Sequence, residues 1–189
     1  MAITRALFLF LILAVGPSVA QLNISNPFYV AGIMKPTAAV TGTAWISDSP
    51  ATATRNDFGG CVGLRFTTVG AQTVTALRLY VLNGNTETVT ITITSSDGSS
   101  TICTGNINTT GLATGWHEVS VSGSLAATTT YQLFRTVTNG GDLWHDSWEP
   151  TENTAIAAID NALFDADCSG TFSGGSGNAS FSGVDFKYQ

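Results

Sequence analysis

Between Gly140 and Pro150 the chain places Asp142, Trp144, His145, Asp146, Trp148 and Glu149, which is half of its tryptophans and one of its two histidines beside three acids. Indole rings stack on the apolar C–H faces of sugars, and carboxylates and imidazoles exchange hydrogen bonds with sugar hydroxyls. Both kinds of group on one loop point to carbohydrate binding, with Trp144, His145, Asp146, Trp148 and Glu149 as the expected contacts. The competing structural role is that the tryptophans plug the end of a β-sandwich and Asp142 caps a turn.

Two other chemistries can be weighed on residue types. Asp165-Ala166-Asp167-Cys168-Ser169-Gly170 follows the first half of an EF-hand-like loop, with oxygen side chains at alternate positions and glycine sixth. Asp165, Asp167 and Ser169 are therefore the candidate ligands for calcium. The twelfth position is Ser176 rather than the usual bidentate Glu, so a distant acid such as Asp160 or Asp142 would have to complete the shell. An ordinary acidic turn is the commoner outcome for so short a motif. The expectation is that no cofactor is required, with calcium as a candidate ligand of this turn. Catalysis is the third case. Asp146, Glu149 and Glu118 could serve a glycosidase, yet nothing sets two of them across a cleft. No serine sits in a nucleophile elbow, and the expectation is that the protein is not an enzyme.

Arg5, the apolar run Ala6–Val15, the Gly16-Pro17 break and the small residues Ser18-Val19-Ala20 have the layout of an export signal cleaved after Ala20. The expected product is secreted, extracellular and not inserted in a membrane, because no later apolar run is long enough to span one. With 7 basic residues against 13 acidic ones the chain has a formal charge of -6, which leaves no basic footprint for nucleic acid. In an oxidising compartment two of Cys61, Cys103 and Cys168 are expected to pair. Spacing does not say which two. Asn23, Asn108 and Asn178 open glycosylation sequons, which a eukaryotic host would use.

The elements that must carry these residues are strands. Thr88 to Thr94 alternates Val89, Ile91 and Ile93 with threonines, a strand with one wet face. Val74 to Leu82 directs Leu77, Leu79 and Val81 inward, and Asn83-Gly84-Asn85 is expected to join these two strands as a hairpin. Val62–Phe66, Thr101–Thr104, Trp116–Val121 and Tyr131–Val137 continue the series, and Val184, Phe186 and Tyr188 close the core, leaving Asp185 and Lys187 on the wet side. Residues 169–182 read as a loop, and no segment after the leader has a capped helical period. The expectation is all-β: a single antiparallel sandwich of jelly-roll type over 57–189, with a leader over 1–20 and an N-terminal strand (Phe28-Tyr29-Val30) and connection over 21–56 packed on it.

The order Val62-Gly63-Leu64-Arg65-Phe66, Val74-Thr75-Ala76-Leu77, Asn83-Gly84-Asn85, Thr129-Thr130-Tyr131, Gly140-Gly141-Asp142-Leu143-Trp144-His145-Asp146 and Gly183-Val184-Asp185-Phe186-Lys187-Tyr188 resembles a family of secreted β-sandwich modules. That family occurs in bacterial extracellular proteins, often beside glycoside hydrolases, and largely lacks an assigned role. The resemblance implies an accessory module binding polysaccharide or glycan without catalysis. A different class of function remains in view. Strand faces covered by Thr and Ser rather than charge are prone to edge pairing, so a self-associating matrix, adhesive or filament protein is the alternative.

Overall fold

The computed structural model describes residues 41–50, 54–146, 148–175, 179–180 and 182–189. By contacts the chain divides after Thr37, and all described residues belong to the unit Ala38–Gln189. The expected leader, the strand at Phe28–Val30, and the sequons of Asn23 and Asn178 lie outside the described residues.

Twelve strands are described: β1 (Thr43–Ala44), β2 (Thr54–Arg55), β3 (Gly60–Thr68), β4 (Gln72–Val81), β5 (Thr88–Ser95), β6 (Thr101–Asn108), β7 (Gly115–Leu125), β8 (Thr130–Val137), β9 (Trp144–His145), β10 (Ala157–Asp165), β11 (Ser173–Gly174) and β12 (Val184–Tyr188). One sheet has the order β1-β12-β4-β7, a second β11-β10-β3-β8-β5-β6, and β2 pairs with β9 apart from both. All the pairings are antiparallel. Apart from the β5–β6 hairpin, the long strands from β3 to β8 cross in turn between β1-β12-β4-β7 and β3-β8-β5-β6 in the pattern of a jelly roll, and β10 with β11 extends the second sheet beyond β3. The expected all-β jelly-roll sandwich is therefore present.

Alternation explains the strands that were legible. In β5, Val89, Ile91 and Ile93 are buried, and on the other face Thr90 and Thr92 bond the β6 side chains Asn106 and Thr104 at 2.8 and 3.0 Å. The core between the sheets is built on aromatic rings. Trp45 lies 4.9 Å from Phe186 and 5.2 Å from Phe66, ring to ring, and its Nε1–H donates to the Ala157 carbonyl at 3.0 Å.

Three expectations change. β4 and β5 do not form a hairpin, since β4 pairs with β12 and β7 while β5 pairs with β6 and β8. Asn83-Gly84-Asn85 is an arch from one sheet to the other. Turn residues bend a chain equally well in either case, and the partner strands decide. The strand β10 was not anticipated, because Ala, Asp and Asn favour strands poorly and its register shifts between Ile159 and Asn161. Asp185 is not on a wet face. It is 0% exposed, accepts a hydrogen bond from the Ile46 N–H at 3.1 Å and pairs with the Arg78 guanidinium. The outer face of this sheet is covered there by aromatic groups. Arg78 stacks 4.5 Å above the Trp116 ring, which contacts Tyr80 and Trp148.

Candidate functional site

The residues Gly140–Leu143 are anchored by turns and hydrogen bonds. Gly140 turns the chain at φ 77° and donates to the Asn56 carbonyl, while a Cβ on Gly141 would displace the Glu87 carboxylate that lies against it. Asp142 then locks the loop to the interlayer arch. Its carboxylate accepts the Thr86 N–H at 2.5 Å, the Glu87 N–H at 3.1 Å and the Thr109 hydroxyl at 2.5 Å. Asn85 and Leu143 exchange a reciprocal pair of 3.1 Å bonds. Asp142 is thus a structural clasp.

Strand β9 then divides the candidate contacts between two faces, because successive residues of a strand point oppositely. Trp144 packs with Val62, Val137 and Phe58, with the Arg55 guanidinium 5.4 Å from its ring. His145 turns the other way, onto Tyr80 at 5.5 Å and beside Gly183. Trp148 follows it, 6.1 Å from Trp116. Both loop tryptophans are 3% exposed, so neither presents an open indole face. Asp146 is half-buried and lies 3.5 Å from Arg55, and Glu149 is exposed. The five expected contacts do not converge on one surface.

Trp144 does line a pocket, to which Asp146 is linked through its ion pair with Arg55. A partly open cavity of about 190 Å³ is lined by Arg55, Phe58, Val62, Trp144 and Phe164. Phe164 stands opposite Val62 in the β10–β3 register, 40% exposed, and meets Phe58 edge-on at 6.2 Å. Arg55 spans the rim. It bonds the Asp57 carboxylate at 2.7 and 3.2 Å and reaches Asp146 on its other side. Arg55, Phe58 and Phe164 were not singled out by residue type alone. Recognition of β10 would have shown a large aromatic at its open end, which is the signal that was missed.

On the other side of the same loop, a polar groove of about 490 Å³ runs between Asn83–Glu87 and Gly140–Leu143. Behind it, Arg135 on β8 is 0% exposed, and its Nη1 and Nη2 have no hydrogen-bond partner among the described residues. Burial pulls its pKa down to about 10, against the opposing attraction of Asp142 and Glu87.

The candidate metal residues Asp165, Asp167 and Ser169 do come together, as an acidic turn. The Asp165 carboxylate accepts from the Asp167 N–H at 3.3 Å, the Ser169 hydroxyl at 3.3 Å and the Gly170 N–H at 3.1 Å, and Asp167 accepts the Ser169 N–H at 3.2 Å. A hydrogen bond with Asp165, followed by those from Ser169, holds the Asp167 carboxyl below the usual range. Among the described residues no group of three or more His, Cys, Asp or Glu side chains is arranged to hold a metal. The turn's oxygens fit their own amides and hydroxyls. A melting curve in chelator should therefore superimpose on one in calcium; a midpoint that falls with chelator and recovers with calcium would make this turn a metal site.

The disulfide joins this turn to the start of β3: Cys61 and Cys168 are bonded, with Cα atoms 5.2 Å apart. Cys103 is free and buried, and burial raises its thiol to about 11. Of the sequon asparagines, Asn108 is exposed at the end of β6. Among the described residues no helix is long and apolar enough to cross a membrane.

Fold and cavities together define a jelly-roll β-sandwich module with depressions at one loop-rich end. The chain belongs to the family described as Domain of unknown function (DUF4082), whose profile matches residues 47–180. No curated protein matches the chain. Among solved structures it is similar to a family 35 carbohydrate binding module from an environmental isolate, at 17% identity and a TM-score of 0.33 over 76% of this chain and 84% of that one.

Proposed function

We propose that the protein is a secreted, non-catalytic module that binds an extracellular polysaccharide or glycan, and that the Trp144 pocket receives the sugar. The observation that carries this reading is the pocket's composition: the accessible rings of Phe58 and Phe164 beside the buried Trp144, with Arg55 lining the pocket and its ion-pair partners Asp57 and Asp146 next to it. An apolar wall suits the C–H face of a pyranose, and ionised donors and acceptors beside it suit hydroxyls. The small volume fits one sugar ring rather than a drug-sized ligand, for which pockets run from about 300 Å³ upward. Export is supported by the apolar run at Ala6–Val15 and by the Cys61–Cys168 bridge, since disulfides persist in oxidising compartments.

Pull-down on insoluble polysaccharides and a glycan array test this directly. The wild-type protein should be retained by at least one glycan. Phe164→Ala and Arg55→Ala, both at exposed positions, should weaken that retention about tenfold, the worth of one stacked ring or charged hydrogen bond, with melting temperatures close to wild type. If no glycan retains the protein while size-exclusion shows large ordered assemblies, the edge-pairing alternative replaces this reading.

A further inference from the structure

The two depressions meet neighbouring residues of one segment. Leu143 borders the polar groove, and Trp144, the next residue, lines the aromatic pocket. Consecutive Cα atoms are about 3.8 Å apart, so one short segment of chain lines both depressions at the same end of the sandwich. This segment is pre-formed. Asp142 and Asn85 tie it to the arch through the bonds given above, so little order has to be gained on binding.

The groove also has chemistry of its own. Asn83 and Thr86 are exposed on one wall, and the Glu87 carboxylate lies over Gly141 on the floor, where it accepts the Asp142 N–H at 3.2 Å. Behind these acids sits the fully buried Arg135, whose Nη1 and Nη2 lack a partner among the described residues. A surface of amide, hydroxyl and carboxylate groups suits a neutral ligand rich in hydroxyls, which can both donate and accept. It lacks the aromatic wall of the first pocket.

We infer that the groove between Asn83–Glu87 and Gly140–Leu143 is a second sugar subsite adjoining the Trp144 pocket, so that the ligand is an oligosaccharide chain of neutral sugars lying across the Leu143–Trp144 segment. This rests on the Trp144 pocket being a sugar site. The aromatic pocket grips one ring by its apolar face, and the groove holds the hydroxyls of the next.

The test is calorimetric titration of the full chain with gluco-, xylo- and manno-oligosaccharides of increasing length, beginning with the monosaccharides. In the series that binds, affinity should rise about tenfold or more from the monosaccharide to the trisaccharide, as one or two added hydrogen bonds would give. Asn83→Ala and Glu87→Gln, the second of which keeps an acceptor for the Asp142 N–H, should abolish that gain and leave monosaccharide binding unchanged. Phe164→Ala should weaken every length alike. Affinity independent of length, or a length gain untouched by Asn83→Ala and Glu87→Gln, overturns the second subsite while the first pocket stands. Absence of binding at every length, with no polysaccharide retained, overturns both.

Discussion

Replacing Cys168 with Ala lowers the melting temperature by about 10–20 °C. The bridge closes a loop whose ends are 107 residues apart in sequence, and in the chain-entropy account a loop of about 100 residues is worth about 4–5 kcal/mol. A domain of this size loses about 2–4 °C for each kcal/mol. The effect should also be local. Cys168 lies within the Asp165–Gly170 turn, and Asp165 pairs with Cys61, so without the bridge the turn is held to β3 by ladder bonds at the strand's end. Scanning calorimetry of wild type with and without reductant, beside Cys168→Ala, measures this. Reductant should bring wild type close to the variant and leave the variant itself unchanged. Cys103 does not complicate the comparison, because a buried thiol raised to about 11 supplies almost no thiolate to attack the bridge. A wild-type midpoint indifferent to reductant under conditions that reduce the bond would refute the claim.

Stability should fall as pH rises from about 4 to 7, and Asp185 should be the cause. Burial raises its carboxyl to about 7, opposed by Arg78 and by backbone N–H groups including that of Ile46. The unfolded carboxyl titrates near 4. Between these values the folded state therefore holds a proton that the unfolded state has released, so ionisation penalises the folded state increasingly up to about pH 7. The slope is at most about 1.4 kcal/mol per pH unit, or roughly 3–5 °C in melting temperature. The exposed acids act elsewhere on the scale. Hydrogen bonds from Ser95 and Ser99 lower Asp97 to about 2, so what it contributes is lost only as pH falls below about 4. Beside Asp185 and Arg78 on the sheet's outer face, Lys187 and Glu118 pair with each other at 2.7 Å. Melting curves at pH 5, 6, 7 and 8 for wild type and Asp185→Asn decide the matter. The Asn variant, shaped like the neutral acid, should show a flat profile and overtake wild type at the alkaline end. A flat wild-type profile, or an unchanged slope in Asp185→Asn, would place the titration elsewhere.

How much of this was readable before the fold was seen depends on whether the signal was local. The faces of β4 and β5 followed from alternation, because every second side chain of a strand shares a face whatever its partner. The partner itself was not readable: Asn83-Gly84-Asn85 bends the chain as well for an arch between sheets as for a hairpin. Strand β10 hid behind residues of low strand propensity, and its Phe164 went unnoticed with it. At the loop, residue types identified the right end of the sandwich but not the arrangement. Alternation along β9 sends Trp144 and His145 to opposite sides, and burial closes both indoles, so the open aromatic wall is supplied by Phe58 and Phe164.

The sequence by itself determined that the chain is acidic, made of strands with one wet face and one apolar face, and richest in ligand-competent groups near residues 140–150. These are sums and periodicities, carried by each segment alone. Only the tertiary structure decided that Cys61 takes Cys168, that Asp185 is buried against Arg78, and that Arg55, Phe58, Trp144 and Phe164 meet around one cavity. Backbone ladder bonds are nearly indifferent to side chain, so strand order is settled by how all the apolar faces are covered at once. A pocket assembled from β2, β3, β9 and β10 exists only after that order is set.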